Sequence, residues 1–135
     1  MPIDLTPLHK AIARLEFALA RHARDPADEE VRDSVIQRFE FTYDLSHKML
    51  RRVLEVTSAE SGEVERMTFP TLIRTAWEQG LVPEGWPVWH GFRDMRNITS
   101  HTYDEAKAIE VAAKVPAFLE EAKYLAEKLA RITAQ

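Results

Sequence analysis

Large apolar side chains recur at Leu5, Leu8, Ile12, Leu15 and Leu19. Alternating spacings of three and four lay these five residues along one stripe of an amphipathic helix. Asp4 or Thr6 is placed to cap that helix, and Pro7 sits in its first turn. "RDPADEE" breaks the pattern, and Asp25 as cap with Pro26 at the first helical position predicts a second helix from Pro26 to about Val56. This second helix is apolar on two sides. Val31, Val35, Phe39, Thr42, Ser46, Met49 and Val53 mark one face, and Ile36, Tyr43, Leu50 and Leu54 mark another, so it is expected at the centre of the fold.

A polar loop, "TSAESGEVERMT", follows. "FPTLIRTAWEQG" predicts a short third helix with Pro70 in its first turn, Leu72, Ile73 and Ala76 or Trp77 inward, and Gly80 as its stop. Trp89, Phe92 and Arg96 then sit about one turn apart, which predicts a fourth helix despite Gly91. Thr102, with Glu105 three positions on, has the form of a capping box for a last helix. That helix is expected to run inward through Ile109, Ala112 and Val115, to bend or restart at Pro116, and to end on Phe118, Ala122, Leu125, Leu129 and Ile132. The expectation is an all-α, up-and-down bundle of four to five helices in a single domain spanning residues 1–135.

Composition narrows the chemistry. The chain has 135 residues, no cysteine, four glycines and a formal net charge of -4. Disulfides, thiolate metal sites and cysteine nucleophiles are excluded, and any contact with RNA has to be local. No apolar run reaches the roughly 18 residues that cross a bilayer, and "MPIDLTPLHK" lacks a signal peptide's apolar core, so the chain reads as cytoplasmic. Asp44 with His47, and His90 with Asp94, have helical spacing for two metal ligands but no third, so no metal or cofactor is expected.

The densest chemistry lies in "RDMRNITSHTYDE", residues 93–105. The predicted boundaries put Arg96 near the end of one helix and His101 just before the cap of the next. On one continuous helix, residues five apart diverge by about 140°, so a break between them would let both face one cleft. Unpaired N–H groups at the following helix start would favour a phosphate there, with Arg96 forking onto it and His101 alongside. Histidine can take the proton of a ribose 2'-hydroxyl or protonate a leaving 5'-oxygen, and arginine can stabilise charge growing on the phosphoryl oxygens. A two-fold dimer would bring a second set of groups. The same residues admit a plainer reading: Arg93 and Arg96 pairing with Asp94, Asp104 or Glu105, His101 donating to a turn carbonyl, and Tyr103 as a surface phenol. Likewise Trp86, Trp89 and Phe92 suit a core better than a base-stacking platform. His47, Lys48, Arg51 and Arg52 form a basic stretch that could guide RNA or lie on a solvated face.

"RNITSHTY" resembles the Arg-x4-His-x-Tyr signature of HepT-like proteins of the HEPN superfamily, polar Asn97 included. "VIQRFEFTYDLSHKMLRRVL" and "FPTLIRTAWEQGLV" resemble the central and third helices of the nucleotidyltransferase substrate-binding family. The resemblance implies a dimerising HEPN-like bundle that acts as the ribonuclease toxin of a toxin-antitoxin pair. It also implies a partner, an MntA-like nucleotidyltransferase that silences the toxin by adenylylation. Carried over by position, Arg96 and His101 are the catalytic pair, Asn97 the supporting polar residue and Tyr103 the adenylylation acceptor. Arg93, Lys48, Arg51 and Arg52 are candidate RNA contacts. The rival expectation is a non-catalytic subunit that holds a nucleotide or substrate for the partner enzyme. Two positions depart from the resembled pattern: His47 replaces a usual tryptophan, and Phe69 a usual serine cap.

Overall fold

A computed structural model describes residues 3–60, 62–101 and 104–134, apart from the side chains of Ser100 and His101. Five α-helices account for most of them: α1 Thr6–Arg24, α2 Glu29–Thr57, α3 Phe69–Glu78, α4 Trp86–His101 and α5 Glu105–Thr133. A 3-10 turn at Val64–Arg66 interrupts the loop before α3, and the described residues contain no strand. The expected helical bundle is observed.

The central position of α2 follows from its two apolar faces, since every residue of both predicted faces is buried. It packs most extensively on α1 and α5. Fully buried Thr42 lies against α1, its Oγ1 3.4 Å from the Ala11 carbonyl. At the other end of the core, Phe118 of α5 meets Phe39 edge-on at 4.9 Å, Phe92 at 5.2 Å and Trp89 at 5.9 Å between ring centroids. Burying side chains of this size stabilises the fold by roughly 1.5–3 kcal/mol each. The buried Glu121 of α5 accepts the Trp89 indole N–H at 3.0 Å, which satisfies the one polar atom of that ring.

Several boundaries differ from expectation. The cap of α2 is Asp28, whose carboxylate accepts the Glu30 and Val31 N–H groups at 2.9 and 3.2 Å. Asp25 and Pro26 instead begin a turn closed by Asp28 N–H to the Asp25 carbonyl, where proline's fixed φ suits the second position. Helix α5 is capped by Asp104, which accepts the Lys107 N–H at 3.1 Å, so the Thr102–Glu105 box does not start it; Thr102 itself lies outside the described residues. Nor does α5 restart at Pro116, which sits inside one 29-residue helix. Ala108 faces the core in place of Ile109, which is 52% exposed, and Trp77 is outside at 55%. The two departures from the resembled pattern meet: the His47 and Phe69 rings are 4.1 Å apart, and Thr68 supplies the hydroxyl cap of α3 to the Thr71 N–H.

Candidate functional site

The motif helix is anchored by Trp89, Phe92 and Met95, buried at intervals of three on the inner face of α4. Arg96, the next residue, therefore emerges at the edge where α4 crosses α2. Its Nε and Nη2 reach the two Asp44 carboxylate oxygens at 3.2 Å each, and its Nη1 reaches Glu40 Oε2 at 2.8 Å. Three of the guanidinium's five N–H donors are committed in these bonds. Glu40 and Asp44 are one turn apart on α2, so a single helix face orients the whole group.

The electrostatics follow from that clamp. Hydrogen bonding to Asp44 holds Arg96 still more firmly protonated. Burial pushes the Glu40 carboxyl up, against the opposing pull of Arg96. Burial likewise pushes the neighbouring Tyr43 phenol up to about 12, which removes it as an acid or base near neutrality. With two carboxylates around one guanidinium, the cluster carries no surplus positive charge of its own. Neither Asp44 nor Glu40 was singled out from the sequence as Arg96's partner; the carboxylates named there were Asp94, Asp104 and Glu105. The spacing of four between Glu40 and Asp44 is the only local signal, and the pairing across 52 positions is tertiary.

The predicted break between Arg96 and His101 is not there. Helix α4 continues to His101, with Thr99 Oγ1 3.2 Å from the Met95 and Arg96 carbonyls. No glycine or proline intervenes to stop it. His101 is thus the last residue of α4, its position about 140° round the helix axis from that of Arg96. The His101 side chain, and Tyr103 entirely, lie outside the described residues, while Asn97 is exposed.

The other basic candidates separate. Arg93 lies with its guanidinium carbon 5.0 Å from the centre of the Trp86 ring, a cation-π contact. Lys48 and Arg52 are exposed on α2. Arg51 is different: its Nη1 donates to the Val64 and Met67 carbonyls at 2.8 and 3.0 Å, and its Nη2 lies 3.2 Å from His47 Nε2. The guanidinium therefore ties down the loop before α3. Burial and the Arg51 charge both push the His47 pKa down. Of the two candidate metal pairs, Asp44 is taken by Arg96, and His90 Nδ1 lies 3.6 Å from Asp94. No cluster of three or more potential metal ligands occurs among the described residues, and no helix there is long and apolar enough to cross a membrane.

Residues 3–131 match the family described as nucleotidyltransferase substrate binding protein like. The chain belongs to that family. A probable ribonuclease HepT of Haemophilus influenzae is 43% identical over 94 residues, which are 70% of this chain and 64% of the relative. This match therefore spans less than two thirds of the relative's length. A solved Haemophilus influenzae structure, described as the fold of a substrate-binding domain of a nucleotidyltransferase, superposes with a TM-score of 0.86 at 34% identity. It covers 94% of this chain and 99% of its own.

Proposed function

We propose that the chain is a HepT-type toxin, a metal-independent endoribonuclease that acts as a homodimer in the cytoplasm. The observation that carries this reading is the fixed guanidinium of Arg96, clamped by Asp44 and Glu40; positions 96 and 101 diverge by about 140° on the continuous α4, so the cleft is completed across the two-fold axis by the other copy. The 43% identity to a probable ribonuclease HepT supports it. In the proposed reaction the ribose 2'-oxygen bonds to phosphorus as its proton passes to a base, and the 5'-oxygen leaves with a proton from an acid. His101 takes one of these proton-transfer roles, and the two-fold copy supplies the other. Arg96 stabilises the charge that grows on the phosphoryl oxygens. Asn97 supports the phosphate, and Arg93, Lys48 and Arg52 steer RNA toward it.

Silencing follows from the same chemistry. An MntA-like nucleotidyltransferase transfers AMP from ATP to the Tyr103 phenol oxygen, which loses its proton as pyrophosphate leaves the α-phosphorus, placing a phosphodiester charge and a bulky nucleotide two residues from His101. RNA is then excluded by charge and by volume.

One observation favours a second reading. Arg96 already has two carboxylate partners, which suits a non-catalytic subunit that presents a nucleotide or substrate to the partner enzyme. Purified protein incubated with RNA in the presence of a chelator separates the two. Cleavage by wild type and its loss in Arg96→Ala and His101→Ala are expected; equal cleavage by all three, or none at any pH, defeats the ribonuclease.

A further inference from the structure

The outer face of α1 has a charge pattern unlike the rest of this acidic chain. Lys10, Arg14, Phe17, Arg21 and Arg24 fall within an arc of about 80° and along about 21 Å of helix. The one acidic residue of α1, Glu16, points elsewhere and pairs with Lys123 of α5. No described residue forms a salt bridge with Lys10, Arg14, Arg21 or Arg38 of α2. Lys10 exerts only a weak pull on the exposed Asp4.

This face borders a groove. Three depressions of about 230, 240 and 430 Å³ run along the α1–α2 seam; the first two share Arg38, and the last two share Phe17 and Arg21. Ala11 and Ala18 line the seam, so short side chains leave room between the flanking cations. Two phenyl rings stand open in it, Phe17 at 64% and Phe41 at 54% exposure. At the far end Asp25, Asp28 and Glu30 approach the track, and the Asp28 carboxylate is already spent capping α2. The anion-accepting part therefore runs from Lys10 to Arg21, with Arg38 opposite.

A solvated charged face accounts for the cations but not for large apolar rings left in water among them. Cations that follow a groove, interleaved with exposed aromatic rings, are what a single-stranded polynucleotide requires: phosphates on the guanidinium groups and bases stacked on the rings. An acidic peptide would satisfy the charges and leave the rings without a matching flat surface. We propose that the α1–α2 groove is a binding track for single-stranded RNA, with Arg14, Arg21 and Arg38 on phosphates and Phe17 and Phe41 under bases. Phe41 is one residue from Glu40 and three from Asp44, so the track crosses the exposed face of α2 next to the Arg96 clamp. The choice of RNA over other polynucleotides rests on the ribonuclease reading, whereas the track itself does not.

The test uses the full chain carrying His101→Ala, so that no strand is cut, and a fluorescent oligouridylate read by anisotropy. Adding Arg14→Glu and Arg38→Glu should weaken binding at least tenfold, whereas Arg14→Lys with Arg38→Lys should largely preserve it. Loss of two phosphate contacts should flatten the slope of log K against log salt by about 1.4. Phe17→Ala or Phe41→Ala should each weaken binding roughly 5- to 150-fold, as expected for one stacked base. Unchanged affinity in the Arg→Glu protein overturns the proposal. So does polyglutamate competing as well as RNA, which would mark a site for acidic protein, or Phe17→Glu with Phe41→Glu converting a dimer to a monomer, which would mark a contact between copies. If groove-dependent binding persists but His101-intact protein never cleaves RNA, the track stands and the ribonuclease reading fails.

Discussion

Arg96 and Asp44, 52 positions apart in the chain, face one another through two N–O contacts of 3.2 Å. This forked pair joins the motif helix to the central helix and fixes the guanidinium plane. Because Asp44 is exposed and Arg96 is only partly covered, its value to stability is small, and its main effect is orientation.

Replacing Arg96 by lysine tests orientation apart from charge. Lysine keeps the cation but cannot make the fork. Urea unfolding of Arg96→Lys should shift by no more than about 1 kcal/mol, while RNA cleavage should fall with kcat, leaving KM little changed. A fall in KM-type binding alone would assign Arg96 to substrate capture.

Phe118 tests the core. It touches Phe39, Phe92, Trp89 and Tyr43 and is fully buried. Phe118→Ala is expected to lose about 3–5 kcal/mol in chemical denaturation. Phe41→Ala, on the surface, should lose less than about 0.5 kcal/mol.

Arg51 was read from the sequence as part of a basic stretch and is found holding the loop before α3. Arg51→Ala should cost roughly 1.5–3 kcal/mol, as expected for charge-assisted bonds to the Val64 and Met67 carbonyls. Exposed Arg52→Ala should leave the unfolding curve in place. RNA affinity unchanged in the Arg51 variant, relative to its folded fraction, completes the distinction.

Glu121 gives stability a pH dependence. Burial raises its carboxyl above the ordinary glutamate range, more than the Trp89 bond lowers it. Between the unfolded and the higher folded value, the native protein binds more protons than the unfolded chain. Its contribution is therefore favourable at low pH and lost as pH rises through the folded value. Glu121→Gln, still able to accept the indole N–H, should flatten the dependence of the urea midpoint on pH and raise that midpoint at pH 8. A midpoint in Glu121→Gln that falls with pH as steeply as in wild type would point to another group.

The helices were legible because the apolar spacing of α1, α2 and α3 is a local property, written within a few turns and enforced by burial. Ends were less so. Asp25 and Asp28 are both good caps three positions apart, and only the turn geometry, with Pro26 in its second position, selects Asp28. Residues 96–101 contain no breaker, so the helix runs on to His101. The motif's residue types and order were likewise fixed by sequence alone, and with them the family. What tertiary structure decided was company: Arg96 with Glu40 and Asp44, Arg51 with the loop carbonyls, Phe17 and Phe41 open among cations. Charged side chains on helix edges choose partners across the fold, and that choice depends on how helices pack and not on neighbours in the chain.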